Sequence, residues 1–116
     1  MRIIVAGAGE IGSHLAKMLS MEYHEITVIS PDEESLEKIS GESDIITVEG
    51  ISSSIETLQK AGIENADLFI AVNPDSEQDI NIVSSILAKK LGAKKVTARI
   101  NSEEYQKNEN RILFTD

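Results

Sequence analysis

The sequence predicts an α/β fold in which a doubly wound parallel sheet, with strands in the order 3-2-1-4-5, carries helices on both faces. Five short apolar runs alternate with segments of helical spacing. Such alternation produces right-handed crossovers between parallel strands. In this strand order the switch point lies between the first and fourth strands, so a ligand is expected beyond their carboxyl ends, at Gly7 to Gly12 and Asn73 to Pro74.

The first twenty residues predict a strand, a glycine turn and a helix. Arg2 to Ala6 is rich in β-branched residues, like a buried parallel strand. The sequence G-A-G-E-I-G follows, and the next helix has one apolar stripe, formed by Ile11, Leu15, Met18 and Leu19. We interpret Gly7 as the tight turn, Gly9 as the point of close approach to a pyrophosphate, and Gly12 as the contact between helix and strand. This order predicts a Rossmann-like nucleotide site at a helix N-terminus, although the glycines could serve only strand-to-helix packing.

The remaining elements continue the alternation. The other predicted strands are Glu25 to Ile29, Asp44 to Val48, Ala66 to Val72 and Lys95 to Ile100. The other predicted helices are Asp32 to Ile39, one that follows Ser52 to Ser54 and stops at Gly62, one from about Ser76 to Leu91, and one from Ser102 onward. The helix that ends at Leu91 is the longest, and its apolar stripe predicts the face that packs on the sheet: Ile80, Val83, Leu87 and Leu91.

The end of the second strand allows two interpretations of Ser30. In dinucleotide-binding folds, an acidic residue about 20 positions after the glycine motif accepts hydrogen bonds from the adenosine ribose. Ser30 occupies that position without a carboxylate, so the choice between NAD and NADP stays open. Ser30, Pro31 and Glu33 also match a capping box. Ser30 therefore either caps the helix alone or also contacts the ligand, and Asp32 could supply the carboxylate if its side chain turns inward.

Composition restricts the classes of partner. The 116 residues are 41% hydrophobic and are expected to form one globular domain. A net charge of −9 argues against binding to nucleic acid or to an anionic membrane surface. No apolar run approaches the roughly 18 residues of a membrane span, and Met1 leads directly into the first strand, so neither a transmembrane segment nor a signal peptide is expected. The chain has no cysteine, and His14 and His24 are too far apart to predict a metal site.

Several segments together resemble the N-terminal nucleotide-binding domain of the TrkA potassium-uptake proteins, the KTN or RCK domain. These segments are MRIIVAGAGEIGSHLA, ITVIS with PDEESL, VEG, LQKAGIENADLFIAV and ILAKKLGAKKVTARINSEEY. The resemblance extends from Met1 to about Tyr105. It implies a cytoplasmic regulatory subunit, peripheral at the inner face of the membrane, that binds NAD(H) or alternatively ATP or ADP and gates potassium transport by a conformational change. The implied partners are a membrane-embedded Trk or Ktr transporter subunit and further copies of the chain in a dimer or ring.

The resemblance also implies the residues of the site. They are Gly7, Gly9, Glu10 and Ile11 at the phosphates with Gly12 completing the turn, Ser30 at the ribose with Pro31 and Asp32 beside it, Gly50, Ile51 and Ser52 beside the adenine, and Val72 and Asn73 at the end of the fourth strand. Arg99 matches a position near phosphate or at the dimer interface, or else forms a surface ion pair. Three features depart from the family pattern and leave the ligand open: Ser30 in place of aspartate, Ile51 in place of an acidic residue, and a longer loop from Asn73 to Asn81.

The competing class is the cofactor-binding half of an NAD-dependent oxidoreductase. Tyr105 and Lys107 lack the Tyr-x-x-x-Lys spacing of short-chain dehydrogenases, and no histidine follows a predicted strand, so we predict no catalytic residue. Ile112 to Phe114 begin an apolar stripe that we interpret as part of a dimer interface. The chain is therefore expected to be a fragment of a longer multi-domain protein.

Overall fold

The computed structural model describes residues 1–41 and 44–100. Within them, the strands are β1 (Arg2–Ala6), β2 (Glu25–Ser30), β3 (Ile45–Glu49), β4 (Leu68–Ala71) and β5 (Lys95–Ala98). The helices are α1 (Glu10–Ser20), α2 (Glu33–Ser40), α3 (Ile55–Lys60) and α4 (Gln78–Leu91), with short 3-10 helices at Ile63–Asn65 and Asp75–Glu77. All pairings are parallel, in the order β3-β2-β1-β4-β5, which confirms the predicted doubly wound sheet. The helix predicted from Ser102 and the stripe at Ile112 to Phe114 lie outside the described residues.

Helices cover both faces of the sheet because the central strand is apolar on both. Ile3 and Val5 of β1 belong to one core cluster, and Ile4 and Ala6 to the other, since successive strand residues point to opposite faces. The helical members of these clusters are Ala16, Leu36 and Ile39 on the first face and Leu58 and Ala88 on the second. A fully buried Val or Ile side chain stabilises a fold by roughly 1.5–3 kcal/mol. Two-sided burial therefore fixes β1, and with it the start of the glycine turn.

The predicted apolar stripe of α1 is only partly correct. Leu15 packs against the first core cluster, as expected. Ile11 and Met18, however, are 41% and 47% exposed, because the small residues Gly12 and Ala16 form the buried face of α1. This face lets the helix lie close to the sheet.

The predicted buried face of α4 is only partly correct, and Ile80 is half-buried. Val83 is 45% exposed, although Leu87 and Leu91 do pack against the second core cluster. The fully buried residues of α4 are Asn81, Ser84, Ser85 and Ala88. This part of the helix lies against the ends of strands and against loops, whose backbone groups require polar partners when they are buried.

The boundaries of several elements differ by one or two residues. The strand predicted as Ala66 to Val72 is shorter, as is the one predicted as Lys95 to Ile100. The longest helix begins at Gln78, because a 3-10 helix occupies the preceding residues. The predicted start of α3 is confirmed, since the Ser54 hydroxyl accepts a hydrogen bond from the Thr57 N–H. Over residues 1–41 and 44–100, none of the helices combines the length and apolar character needed to traverse a bilayer.

Candidate functional site

The glycine turn lies against the end of β4. Gly7 is buried and adopts a φ of +126°, in the region that favours glycine, and its N–H donates to the Ile29 carbonyl at 2.8 Å. A Cβ at Gly7 would lie 2.9 Å from the carbonyl carbon and oxygen of Val72 and 3.0 Å from the nitrogen of Asn73. The turn therefore rests directly on the Val72–Asn73 peptide, and the predicted tight turn is confirmed.

The other two motif glycines differ in what surrounds them. A Cβ at Gly12 would collide with the Gly7 carbonyl group, so α1 lies directly on the turn, and the predicted helix contact is confirmed. Gly9 is the N-cap of α1, and a Cβ there would meet no atom of residues 1–41 or 44–100 within 4 Å. The Ser13 hydroxyl donates to the Ala8 carbonyl at 2.9 Å and fastens the turn to the helix. The space outside Gly9 is therefore open, while the turn behind it is fixed.

The N-terminus of α1 provides donors at this open space. Among the described residues, no side chain caps the helix at Gly9, and the first N–H groups of an α-helix lack intrahelical partners. Together with the positive end of the helix dipole, such groups can hold an anion without a basic side chain. Close approach of a pyrophosphate to Gly9 stays a prediction.

The capping box predicted at Ser30 is wrong. The carboxylate of Asp32 caps α2 instead, accepting hydrogen bonds from the Glu34 N–H at 3.2 Å and the Ser35 hydroxyl at 2.6 Å. Ser30 still belongs to β2, so its backbone stays extended and the chain turns after it at Pro31. The Ser30 hydroxyl is buried and accepts a hydrogen bond from the Asp32 N–H at 3.1 Å. Asp32 thus stands at the start of α2 with its carboxylate engaged by the helix.

The loop after β3 brings the residues predicted beside the adenine to the same edge of the sheet. The Gly50 N–H donates to the Ser30 carbonyl at 3.0 Å, which joins this loop to the end of β2. Ile51 is 50% exposed, whereas Ser52 is buried. The Ser52 hydroxyl lies 2.8 Å from the Ser84 hydroxyl. Gly50 and Ile51 therefore border the open edge, and the Ser52 side chain points into the protein.

The ends of β4 and β5 complete this edge, which we call the carboxyl edge of the sheet. Val72 remains paired with β1, since its N–H donates to the Ala6 carbonyl at 2.8 Å. Asn73 is buried, and its N–H donates to the Asn81 side chain at 2.9 Å. The carbonyl of Arg99 accepts a hydrogen bond from the same Asn81 side chain at 3.0 Å. The structure thus gathers at one edge the predicted residues from the ends of β1, β2, β3, β4 and β5.

Sequence reasoning missed a buried network of amides and hydroxyls under this edge. We call it the polar network, and its side chains are Ser52, Asn73, Asn81, Ser84 and Ser85. In the described part of the chain, every buried side-chain nitrogen or oxygen has a hydrogen-bond partner. The signal was available in α4, where Asn81, Ser84, Ser85 and Ala88 recur at helical spacing as a second stripe of small residues.

Charged side chains instead pair at the opposite edge, the amino edge, where the strands begin. Arg2 pairs with Glu25 at 2.9 Å, and Lys94 pairs with Asp67 at 3.2 Å. The backbone N–H of Arg2 also donates to the Asp67 carboxylate at 2.8 Å. This hydrogen bond and the Lys94 ammonium lower the pKa of Asp67 below its ordinary value of 3.8.

Comparison with known proteins identifies relatives over nearly the whole chain. The sequence matches the TrkA-N domain family over residues 3–115. It is 41% identical over 105 residues to a Trk system potassium uptake protein TrkA homolog of Archaeoglobus fulgidus. This match covers 90% of this chain and 23% of the relative. The protein of the same name from Methanothermobacter thermautotrophicus is 30% identical, over 91% of this chain and 48% of that protein. The chain thus spans from about a quarter to about half of the length of these relatives.

Solved structures share the fold at low sequence identity. A GsuK channel described as bound to NAD matches with a TM-score of 0.79 and 16% identity, over 98% of this chain and 20% of that chain. The Kef CTD of Shewanella denitrificans in an AMP-bound form matches with a TM-score of 0.73 and 19% identity, over 97% of this chain and 67% of that chain. These two likenesses concern the fold alone. The family match confirms the resemblance found in the sequence, and the chain belongs to the TrkA-N domain family.

Proposed function

We propose that this chain is the nucleotide-binding domain of a regulatory protein in a Trk-type potassium uptake system. Its ligand is NAD(H), with ATP or ADP as the alternative. One observation carries the proposal: the Gly7 turn and the uncapped start of α1 meet at the switch point of the sheet, with open space outside Gly9. Ligands of open α/β sheets bind at this point.

The proposed ligand lies across the carboxyl edge. Its phosphates approach Gly9 and the first N–H groups of α1, where no side chain intervenes. The adenosine lies toward β2 and β3, between Ser30 and the Gly50–Ile51 loop. The Ser30 hydroxyl, whose oxygen already accepts a hydrogen bond, keeps its own hydrogen to donate. In a dinucleotide, the half beyond the phosphates extends toward Val72 and Asn73 at the end of β4.

Relatives of this chain support the ligand class and the biological role. The two structures that share the fold were described with NAD and with AMP, and both ligands contain an adenosine joined to phosphate. The curated relatives are named as potassium uptake proteins. We therefore assign the chain to the cytoplasmic side of the membrane, bound through a membrane-embedded transporter subunit and assembled as a dimer or larger ring. In this role, nucleotide exchange changes the packing between neighbouring domains and is not followed by turnover.

The Gly9→Asp variant tests the site. A carboxylate in the open space outside Gly9 would repel the phosphates, whereas Gly9 has a φ of −75° that other residues adopt without strain. We expect the variant to fold and to lose at least about 100-fold in affinity for NAD and ADP by calorimetry. Gly41→Asp is the matched control, because Gly41 is also exposed, has a φ of −75° and has no atom of the described residues within 4 Å of its Cβ position.

Two outcomes would contradict nucleotide binding at Gly9. Equal nucleotide affinity in Gly9→Asp and the wild-type chain would place the site elsewhere, and absence of binding by the wild-type chain would refute nucleotide binding.

Measurements with NAD, NADH, NADP, ATP and ADP rank the ligands. A steady loss of NADH absorbance in the presence of the chain would instead support the oxidoreductase alternative. Light scattering with and without the preferred nucleotide tests the assembly, and a strict monomer in both conditions contradicts it.

A further inference from the structure

Asn81 is completely buried in the first half of α4 and uses both ends of its amide. Its Oδ1 accepts hydrogen bonds from the backbone N–H of Asn73 at 2.9 Å and from the Asn73 side chain at 3.0 Å. Its Nδ2 donates to the carbonyl of Asn73 at 3.1 Å and to the carbonyl of Arg99 at 3.0 Å. One side chain therefore joins the end of β4 to the end of β5.

These contacts replace backbone pairing where the strands stop. Asn73 lies two residues beyond the last residue of β4, and Arg99 lies one residue beyond the last residue of β5. Buried backbone N–H and C=O groups at such positions require a partner, and the amide of Asn81 can satisfy a donor and an acceptor at once. Replacing Asn81 by a residue without an amide would leave these groups unpaired in the protein interior.

The glycine turn depends on the same peptide. A Cβ at Gly7 would come within 3.0 Å of the Val72–Asn73 peptide, so the turn packs against this peptide with no room for a side chain between them. The Asn73 N–H in that peptide is the group held by Asn81. A shift of Asn73 would therefore move the surface on which the turn rests, on the side toward β4.

We propose that Asn81 is a positioning residue of the nucleotide site and that it acts mainly on the half of a dinucleotide that extends beyond the phosphates toward β4. The proposal rests on the proposed function. The adenosine half lies at the ends of β2 and β3, where the Gly50 N–H donates to the Ser30 carbonyl. Ser52, on the same loop, is joined to Asn81 only indirectly, through the Asn73 side chain that donates to both. The affinity for NAD should thus depend on Asn81 more strongly than the affinity for AMP does.

Ser85 provides a matched control on the same helix. It is 1% exposed, and its hydroxyl donates to the carbonyl of Asn81, within α4. Ser85→Ala removes a buried hydrogen bond of the polar network without releasing Asn73 or Arg99. A residue that only stabilises the fold would lower the melting temperature and leave the ratio of the NAD and AMP affinities unchanged.

The experiment measures the dissociation constants of NAD and AMP by calorimetry for the wild-type chain, Asn81→Ala and Ser85→Ala. We expect Asn81→Ala to weaken NAD binding by about tenfold more than AMP binding, and Ser85→Ala to keep the wild-type ratio. An unchanged ratio in Asn81→Ala overturns the positioning role while the proposed function stands. If the wild-type chain binds neither nucleotide, the proposed function fails as well, and the two failures are thereby distinguished.

Hydrogen exchange of the wild-type chain keeps the proposal testable if Asn81→Ala does not fold. The backbone N–H of Asn73 is held by a side chain and not by a strand, so its protection reports directly on Asn81. We expect protection similar to that of the Val72 N–H, which donates to β1. Exchange at Asn73 as fast as at the exposed residue Glu33, whose N–H begins α2 and has no intrahelical partner, would show that Asn81 does not fix the peptide, and would overturn the proposal.

Discussion

The two edges of the sheet stabilise their polar groups in different ways. At the amino edge, Arg2 and Glu25 form an ion pair whose side chains are 60% and 67% exposed. At the carboxyl edge, Asn81 and Ser84 are fully buried and uncharged. Exposed ion pairs contribute about 0–1 kcal/mol, whereas an unsatisfied buried group costs about 1–3 kcal/mol. Substitutions should therefore be far more costly at the edge that carries the candidate site.

This difference has a physical reason. At the amino edge the strands begin near water, where charged side chains are well solvated. The carboxyl edge must keep backbone groups close together around an open space, and neutral amides and hydroxyls can fill that role without the desolvation cost of a charge.

Gly12→Ala should have the largest effect. The added Cβ would collide with the Gly7 carbonyl, so either α1 or the turn must move. We expect a loss of about 3 kcal/mol or more in the free energy of unfolding, measured by urea denaturation. Gly9→Ala is the control and should lower stability by no more than about 1 kcal/mol, because its Cβ has open space and only the N-cap preference for glycine is lost. Similar values for the two variants would contradict the close packing of α1 on the turn.

Asp32→Ala should have an intermediate effect, because it removes the N-cap of α2. We expect a loss of about 1 kcal/mol in the free energy of unfolding, and little change in Asp32→Asn, whose side chain can still accept from the Glu34 N–H. Urea denaturation of both variants at neutral pH provides the comparison. If Asp32→Asn lost as much stability as Asp32→Ala, the charge of Asp32, and not its capping hydrogen bond, would be what stabilises α2.

Asp67→Asn, at the amino edge, should have the smallest effect of these substitutions on the free energy of unfolding. The pKa of Asp67 is lowered by the Arg2 N–H and by Lys94, so the folded state favours the charged carboxylate. Its contribution is therefore present above the ordinary pKa of 3.8 and is lost as the pH falls through the lower, folded-state pKa. Over that acid range, the stability of the wild-type chain should fall more steeply than that of Asp67→Asn. Parallel pH profiles of thermal unfolding would contradict this assignment.

The sequence allowed the fold to be predicted because its signals are local and repeated. The run from Arg2 to Ala6 matches β1 at both ends, and the roles of Gly7 and Gly12 follow from steric rules that hold in any context. The α4 helix was less predictable, since periodicity identified Val83 as inward although it is 45% exposed. Periodicity ranks residues by hydrophobicity alone, while the surface that α4 covers near its start consists of strand ends that need hydrogen bonds.

In the candidate site, too, some features could be predicted from the sequence and others depend on contacts between distant residues. Strand order alone predicted that Gly7 and Asn73 meet, and they do. The N-cap of α2 was assigned two residues too early, because Ser30, Pro31 and Glu33 satisfy the capping pattern whether or not β2 extends through Ser30. The inward direction of Ser52 depends on Ser84, which lies far along the sequence, so no local pattern could predict it.

The order of the strands has a consequence for how the chain folds. The glycine turn precedes β4 and β5 in the chain, yet the surface that supports it comes from the end of β4, and Asn81 ties that surface to Arg99. Non-local contacts of this kind form only after a long loop has closed. A nascent chain therefore emerges with its glycine turn unsupported, and the turn is complete only when β5 has docked. If the proposed function holds, nucleotide binding by the nascent chain would show that the whole sheet has assembled.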